Sequence, residues 1–391
     1  MISTMKGPIA MSDHENLEYK LVEIAEKIKS QGKKRRALAK ILRRVKDELE
    51  LPIDEENQEV TETKLVTRTG LDPLNDDTIA GVDGGVLARP LHGLDLILVR
   101  AIATIFHYED ESLKQAEYHP SEMPWPELMS IHEPLDSREF ELLVGMYRQL
   151  TELKRAKEAI ENWSIDTLLL DGSIVPQYTS HASKSRTREL YRELVDSFTN
   201  LYQTCVKKNV LLLGVVKDSR SARLIDIFQG KILSDIDAGT NLSSNEIASL
   251  EDNRSVLLDS RDTVFLDHLL DPGERSFVFR YADAPANLLR DIGDWRNQIH
   301  AFYVKTVPYD RPLRIEFVST PENVSQTADG ASSLIRALSA HHDACALPSV
   351  LIEADACARL AQEEISMIRD SITDRLEPST LLDLRRERGP F

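Results

Sequence analysis

The spacing of hydrophobic positions changes along the chain, and each change marks an element. Over residues 14 to 50, Leu17, Leu21, Ile24 and Ile28 fall at spacings of four and three. Leu38, Leu42, Val45 and Leu49 repeat the pattern, which predicts two amphipathic helices parted at Gly32. The basic run Lys33 to Arg36 sits at that break, either as a solvated helix start or as a contact for a DNA backbone or a partner. Residues 52 to 63, PIDEENQEVTET, form an acidic linker opened by Pro52. Residues 1 to 63 are thus expected to be a helical arm and linker, and residues 64 to 391 one α/β domain.

Within that domain the apolar runs are strand-like: Ile79 to Gly85, Val86 to Leu91 and Leu94 to His107. A proline-rich loop around Pro120, Pro124 and Pro126 holds Trp125, expected to cover the edge of the core. Arg138 to Trp163 reads as a long helix, Thr167 to Ser173 as a strand, Arg186 to Lys208 as a helix and Val210 to Val216 as a buried strand. Between them, Tyr178 to Ser185 is a hydroxyl-rich loop with the character of a lid. Residues 230 to 262 are polar and loop-rich. Phe277 to Tyr281, Ala301 to Val307 and Leu313 to Val318 are strand-like, with Arg314 and Glu316 interrupting the last run, and Ala331 to Arg375 is helical.

Two of these runs share one grammar. IAGVDGG ends its apolar residues in Asp83 and two glycines, and TLLLDGS ends in Asp171 and Gly172. Asp-Gly after an apolar run is also a hairpin-turn signal, so each motif alone admits a bland reading. Their order decides: a first Asp strand, two further strands, a crossover helix, then a second Asp strand. That is the order of a ribonuclease H-like fold, an α/β fold with a mixed central sheet flanked by helices, here with an N-terminal helical arm. Parallel pairing of the two Asp strands would bring the carboxylates together.

At 391 residues, 41% hydrophobic and 29% charged, the composition is that of an ordinary soluble globular protein. No apolar run approaches membrane-spanning length, and the first 20 residues lack an apolar signal core, so a cytoplasmic location is expected. Three scattered cysteines, Cys205, Cys345 and Cys357, exclude a disulfide framework or a thiolate zinc site. A net charge of −17 argues against broad cationic adhesion to nucleic acid, yet leaves room for an acidic, metal-loaded site within a locally basic groove.

Two strand-end carboxylates, joined by Glu152 from the crossover helix and by Asp355 from a C-terminal helix, make a set of hard oxygen donors suited to Mg²⁺ or Mn²⁺. Paired ions so held activate water and stabilise the leaving oxygen of a phosphodiester, so the residues read as a metal-dependent nuclease. Each has a plain alternative. Arg148 and Glu152 form an exposed i,i+4 ion pair, and Asp355 faces solvent. Lys217 and Ser219, after Val216, either contact a phosphate or belong to a helix-start loop. Two other function classes compete: an actin-like or sugar-kinase ATPase, which also sets Asp-Gly turns at strand ends but needs a glycine-rich adenosine loop absent here, and a scaffold docked on an ATPase ring.

Taken in order, GVDGG, Arg148 with Glu152, LLLDGS, VVKDSRS, RIEF and LPSVLIEAD resemble the NurA nuclease family over roughly residues 70 to 370. The resemblance implies a DNA nuclease acting on 5′ ends and dependent on Mn²⁺. It also implies a ring-like homodimer and work with a HerA-type hexameric translocase in DNA end resection. By position, Asp83, Glu152 and Asp171 match the family's acidic metal ligands. The family's C-terminal ligand is often the histidine of an Ala-His pair, where this chain has Ala354-Asp355; His341 and His342 lie before the Leu-Pro element and match less well.

Overall fold

The computed structural model describes residues 13–51, 59–177, 185–232, 240–282, 287–376 and 382–384. In chain order its elements are α1 (Asp13–Val45), β1 (Val66–Arg68), β2 (Thr78–Pro90), β3 (Asp95–Glu109), β4 (Ser112–His119), β5 (Glu127–Ile131), α2 (Ser137–Asn162), β6 (Thr167–Asp171), α3 (Ser185–Lys208) and β7 (Leu211–Val216). There follow α4 (Arg223–Ile227), α5 (Ser244–Arg254), α6 (Asp262–Leu269), β8 (Glu274–Ser276), β9 (Phe279–Arg280), α7 (Asn287–Arg290), β10 (Ile299–Lys305), β11 (Leu313–Val318), α8 (Val324–Leu338), α9 (Ser349–Ala358) and α10 (Gln362–Thr373).

The chain divides into two units, Met1–Glu50 with Arg220–Leu269, and Leu51–Ser219 with Leu270–Phe391. Residues 220–269 thus group by contact with the first fifty residues. There α1 runs unbroken through Gly32. One glycine costs a helix only about 1 kcal/mol, and Arg35 at that level is anchored by its Nε to Ser260 Oγ (2.7 Å). Leu38, Leu42 and Val45 are buried, as are Phe228 and Phe265, whose rings lie 6.0 Å apart. The Asp262 carboxylate accepts from the backbone N–H of Leu224 and Ile225, capping the orphan donors of α4. Residues 230–262, read from sequence as loop, carry α5, whose Ser243 and Glu246 form a capping box. The first half of α1 keeps Leu17, Leu21, Ile24 and Ile28 exposed.

The second unit is built on an 11-stranded sheet, ordered β1-β8-β10-β11-β7-β6-β2-β3-β4, with β5 on β3 and β9 on β10. β2, β3 and β4 form the antiparallel meander, α2 crosses over, and β6 returns parallel to β2. This is the expected ribonuclease H-like order, with one shift of boundaries. Val86 to Leu91 is no separate strand: β2 continues through Asp-Gly-Gly, and the true hairpin turn follows Pro90, where Gly93 takes φ +95°. The Asp-Gly turn signal loses here because β2 pairs with β3 from Thr78 to Pro90, and one favoured turn cannot offset a broken ladder of that length. The third meander strand is β4.

Helices cover both faces. On one, α2 and α3 close a core with Val82, Leu168, Leu170, Leu153 and Phe198. On the other, α8 and α9 pack Val350, Leu351 and Ile335 against Ile79, Leu169 and Val215. Trp125 does not cover the core: it is 94% exposed, because the carbonyl of Pro124 is held by the Arg100 guanidinium (2.8 Å) and the loop is fixed outward. The lid-like stretch read at Tyr178 to Ser185 lies, but for Ser185, outside the described residues.

Candidate active site

Strand parity decides where the carboxylates point. In β2 and β6, Val82, Leu168 and Leu170 face α2, so Asp83 and Asp171 face the α9 side with Leu169. The parallel register runs Val82 to Leu170, which sets Asp83 next to Asp171 one residue on. Glu152 comes from the other face. Its side chain reaches over Gly84, where an added Cβ would stand 2.7 Å from Glu152 Oε1. Gly81 and Gly85 serve α9 in the same manner: Cβ atoms there would meet Val350 at 2.9 Å and the Ala358 carbonyl at 2.4 Å. The glycines of IAGVDGG admit neighbours on both sides of the strand, and none of them makes the turn that sequence proposed.

Asp83 is buried, and its Oδ1 accepts the Gly84 N–H (2.7 Å). Burial first, and then the charge of Asp171, push its carboxyl up to about 7, against the pull of the Gly84 N–H and of Lys217. Burial raises Glu152 to about 8; Arg148 opposes this, while Asp83 and Asp171 add to it. Glu152 is therefore no exposed surface pair. The Arg148 guanidinium stands 3.5 Å from Oε1, an electrostatic contact too long and poorly aimed to count as a hydrogen bond, and Oε1 is left buried without one. Arg148 also donates to the Gly84 carbonyl (3.4 Å).

The Lys217 ammonium is ion-paired with Asp171 Oδ2. Desolvation pulls its pKa down, but the bond to Asp171 and the charges of Asp171, Asp83 and Asp355 outweigh that and raise it. Asp355 stands one helical turn before the C-terminus of α9, half-exposed, and pairs with Arg359 (3.0 Å). Its charge reaches both Asp83 and Lys217, so it borders the site and also faces solvent. His341 and His342 are exposed and engage turn backbone: His341 Nδ1 meets the Leu338 carbonyl, and His342 Nδ1 accepts from Ala344 N. Ser219, expected at a phosphate, is buried with its hydroxyl 3.3 Å from that of Tyr303. It adjoins the scaffold behind the site.

That scaffold holds two residues to which sequence assigned no role. Glu316, 1% exposed, accepts from Ser173 Oγ (2.6 Å) and Ile174 N (3.2 Å) with one oxygen, and from Arg314 Nε (2.8 Å) with the other. Arg314 lies over the ring of Tyr281 at 4.9 Å and within 6 Å of Phe279 and Tyr303. Gln177 bonds both Ser173 Oγ and Tyr281 OH. The turn after Asp171 is thus clamped from β11, with Gly172 at φ +125° and its carbonyl so close to Gly214 that a Cβ there would lie 2.7 Å away. The available signal was the parity of RIEF: positions 314 and 316 share one face of a buried strand.

The donor set fits a divalent cation. All four side chains offer oxygen, burial and mutual repulsion raise the carboxyls of Asp83 and Glu152 towards their protonated forms, and Lys217 already balances Asp171. In this arrangement the cage is not closed, since among the described residues no three His, Cys, Asp or Glu groups are gathered closely enough to hold one ion. A cavity of about 120 Å³ opens beside them, lined by Arg148, Glu152, Asp171, Ser173, Gln177 and Phe198. Gly84→Ala tests the crossing of Glu152. It should displace that carboxyl and cut activity at least about as much as Glu152→Gln, with stability lowered by about 1–3 kcal/mol as for other overpacked sites; thermal melting and activity on the same preparations check it.

The chain matches the family model of the NurA domain over residues 77–360. Among solved structures it is similar to the NurA nuclease from Sulfolobus solfataricus, with 16% identity and a TM-score of 0.54, covering 93% of this chain and 99% of that one. A crystal structure of NurA with manganese aligns at 12% identity and a TM-score of 0.41, over 80% of this chain and 92% of the other. A search of curated proteins finds no match.

Proposed function

The chain belongs to the NurA family, and from that premise we propose that it is a metal-dependent DNA nuclease whose site is Asp83, Asp171, Glu152 and Asp355. The observation that carries this reading is the meeting of Asp83 and Asp171 on adjacent parallel strands, with a buried, hydrogen-bond-free oxygen of Glu152 brought to them over Gly84. The ATPase alternative falls with membership of this family. Mn²⁺ or Mg²⁺, as two ions, would be held by these four carboxylates and would supply Lewis-acid activation of water and of the leaving oxygen.

The chain's own residues do the rest. Lys217, charged and at the end of β7, is placed to leave Asp171 for a non-bridging phosphate oxygen. Arg148, tied to the Gly84 carbonyl, keeps the Glu152 side chain on the strand and offers its exposed edge to the same phosphate. Asp355 completes the oxygen set from α9, in the place where the family resemblance puts a histidine.

As in the resemblance, the reaction would be 5′-to-3′ digestion of DNA ends, with single-strand endonuclease activity, beside a HerA-type hexameric ATPase in double-strand break repair. The exposed stripe Leu17, Leu21, Ile24 and Ile28 supports assembly, as a homodimer or with that ATPase. Among the described residues no helix is long and apolar enough to cross a membrane.

End-labelled single- and double-stranded DNA, incubated with Mn²⁺, Mg²⁺ or EDTA, with and without the ATPase, tests the reading. Cleavage with either ion and none in EDTA is expected; cleavage unaffected by EDTA would refute it. Asp355→Ala should lose most activity and Asp355→His regain part of it, with preference moving from Mg²⁺ towards Mn²⁺ because imidazole is the softer ligand. Normal cutting by Asp355→Ala would remove that residue from the set.

Metal-free stability should fall as pH rises. Asp83 and Glu152 have folded values raised to about 7 and about 8, so the native state binds more protons than the unfolded one from about pH 4 upward. The penalty of ionising them in place is complete only above about pH 8. These carboxyls would have to give up their protons to hold an ion, so the gain in melting temperature on adding Mn²⁺ should be larger at pH 8.5 than at pH 6. Equal gains would mean that neither carboxyl meets the ion.

A further inference from the structure

The first turns of α3 carry Arg188 and Arg192, four residues apart and exposed, and among the described residues neither guanidinium has a hydrogen-bond or ion-pair partner. Two like charges on one helix face repel each other, a repulsion that Glu189, three residues before Arg192, and Asp196, four after it, offset in part and that an anion held between them would relieve. A third guanidinium, that of Arg290 on α7, meets among the described residues only the neighbouring Asp291 Oδ1, at 3.5 Å. The other Asp291 oxygen is already taken by Tyr191 OH (2.7 Å). These groups, with Val195 and Asp196, line a cavity of about 350 Å³.

The topology sets this cavity at the substrate end of the sheet. The C-terminus of α3 delivers the chain to the start of β7, where Leu211 N donates to the Asp166 carbonyl (2.9 Å). Its N-terminus therefore lies at the other end, the end of Asp171 and Lys217. Twenty-four residues of helix span about 36 Å, whereas the six of β7 span about 20 Å, so the first turns of α3 overshoot the strand ends. Phe198 lines the cavity beside Glu152 and Asp171. Arg192 and Arg188 stand about 9 and about 15 Å further along the helix axis, a span of a few nucleotides.

We propose that this cavity is a phosphate-binding subsite that grips the sugar–phosphate backbone of a nucleic-acid strand a few nucleotides from the carboxylates; the assignment rests on the nuclease reading above. Arg188 and Arg192 supply forked guanidinium donors that fit phosphate oxygens in pairs, and Arg290 closes the third side. In a chain of net charge −17, the grip is local and registers the strand without attracting nucleic acid over the whole surface.

The test compares the full-length wild type with R188Q/R192Q. Anisotropy of a labelled single strand of about 20 nucleotides, titrated in EDTA across a salt series, should show affinity reduced about tenfold or more. The slope of log K against log salt should be shallower by about 1.4, because each phosphate of a single strand that the protein neutralises adds about 0.7 to that slope and the variant neutralises two fewer. Melting temperature should not fall, since the variant loses only a repulsion between like charges, and hydrolysis of thymidine 5′-p-nitrophenyl phosphate, too short to reach the cavity, should keep its rate. Inorganic phosphate and ATP serve as competitors. If neither displaces DNA from the wild type at moderate concentration, the strand backbone is the ligand; if ATP binding is lost in the variant while the DNA slope is unchanged, the cavity serves a free nucleotide and the proposal falls. An equal slope, or a wild type that binds no DNA, overturns it as well. A wild type that cuts nothing with any metal, yet loses DNA affinity on R188Q/R192Q, sinks the nuclease reading and leaves the subsite standing.

Discussion

Asp83→Asn should lower DNA cleavage by about 10³-fold or more, the scale on which one member of a catalytic unit reads out, while the protein still folds. The reason is where its carboxyl stands: buried, beside Asp171, and raised to about 7 by burial and that neighbour's charge. Asparagine keeps the shape and the bond from Gly84 N but removes a charge that is costly there without a cation. In EDTA at pH 8 the variant should melt no lower than the wild type. Adding Mn²⁺ should then raise its melting point less, because less binding free energy reaches the folded state. Asp171→Asn should lose activity alike, and Glu152→Gln as well. A variant at position 83 that degrades DNA in Mn²⁺ at the wild-type rate would end the site assignment.

The largest loss of stability is expected from Glu316→Ala. Removing one partner of a buried ion pair leaves the other charge uncompensated and costs about 3–5 kcal/mol. Here it would strand Arg314 against Phe279, Tyr281 and Tyr303, and release Ser173 Oγ and Ile174 N. Chemical denaturation measures that loss. The pair can also be removed whole: Arg314→Met with Glu316→Leu should recover most of the stability, since an apolar replacement of a buried pair is often neutral or better. Activity should not return with it, because the turn after Asp171 has lost its anchor. Full activity in the stable double variant would reduce the clamp to a core feature.

What sequence made legible was the part written in periodicity. The parallel pairing of the two Asp strands follows from the order of apolar runs, and α2 from its uninterrupted helical pattern. What escaped was written in the meeting of distant positions. The glycines after Asp83 look like a turn because local grammar cannot see Glu152 and Ala358 waiting on either side of an unbroken strand. Gly32 looks like a break because sequence does not show Arg35 held by Ser260, 225 residues on. Trp125 looks like core because its outward fixing depends on Arg100. Arg314 and Glu316 were visible as charges in an apolar strand, but their target, the Ser173 turn, is 143 residues away from Glu316.

Along β2, positions 81, 84 and 85 admit no side chain, and Asp83 is walled in by them. Such a strand has little neighbouring sequence space: a side chain at any of the three glycines is a collision, so its own segment offers evolution little means of adjusting ion choice or rate. Variation must enter from elements that only lean on the strand. Position 355, half-exposed at the rim on α9, is open to exchange. With Asp355 in the proposed oxygen set, a lineage that exchanges aspartate and histidine there would change its preferred ion without disturbing the strand that carries Asp83.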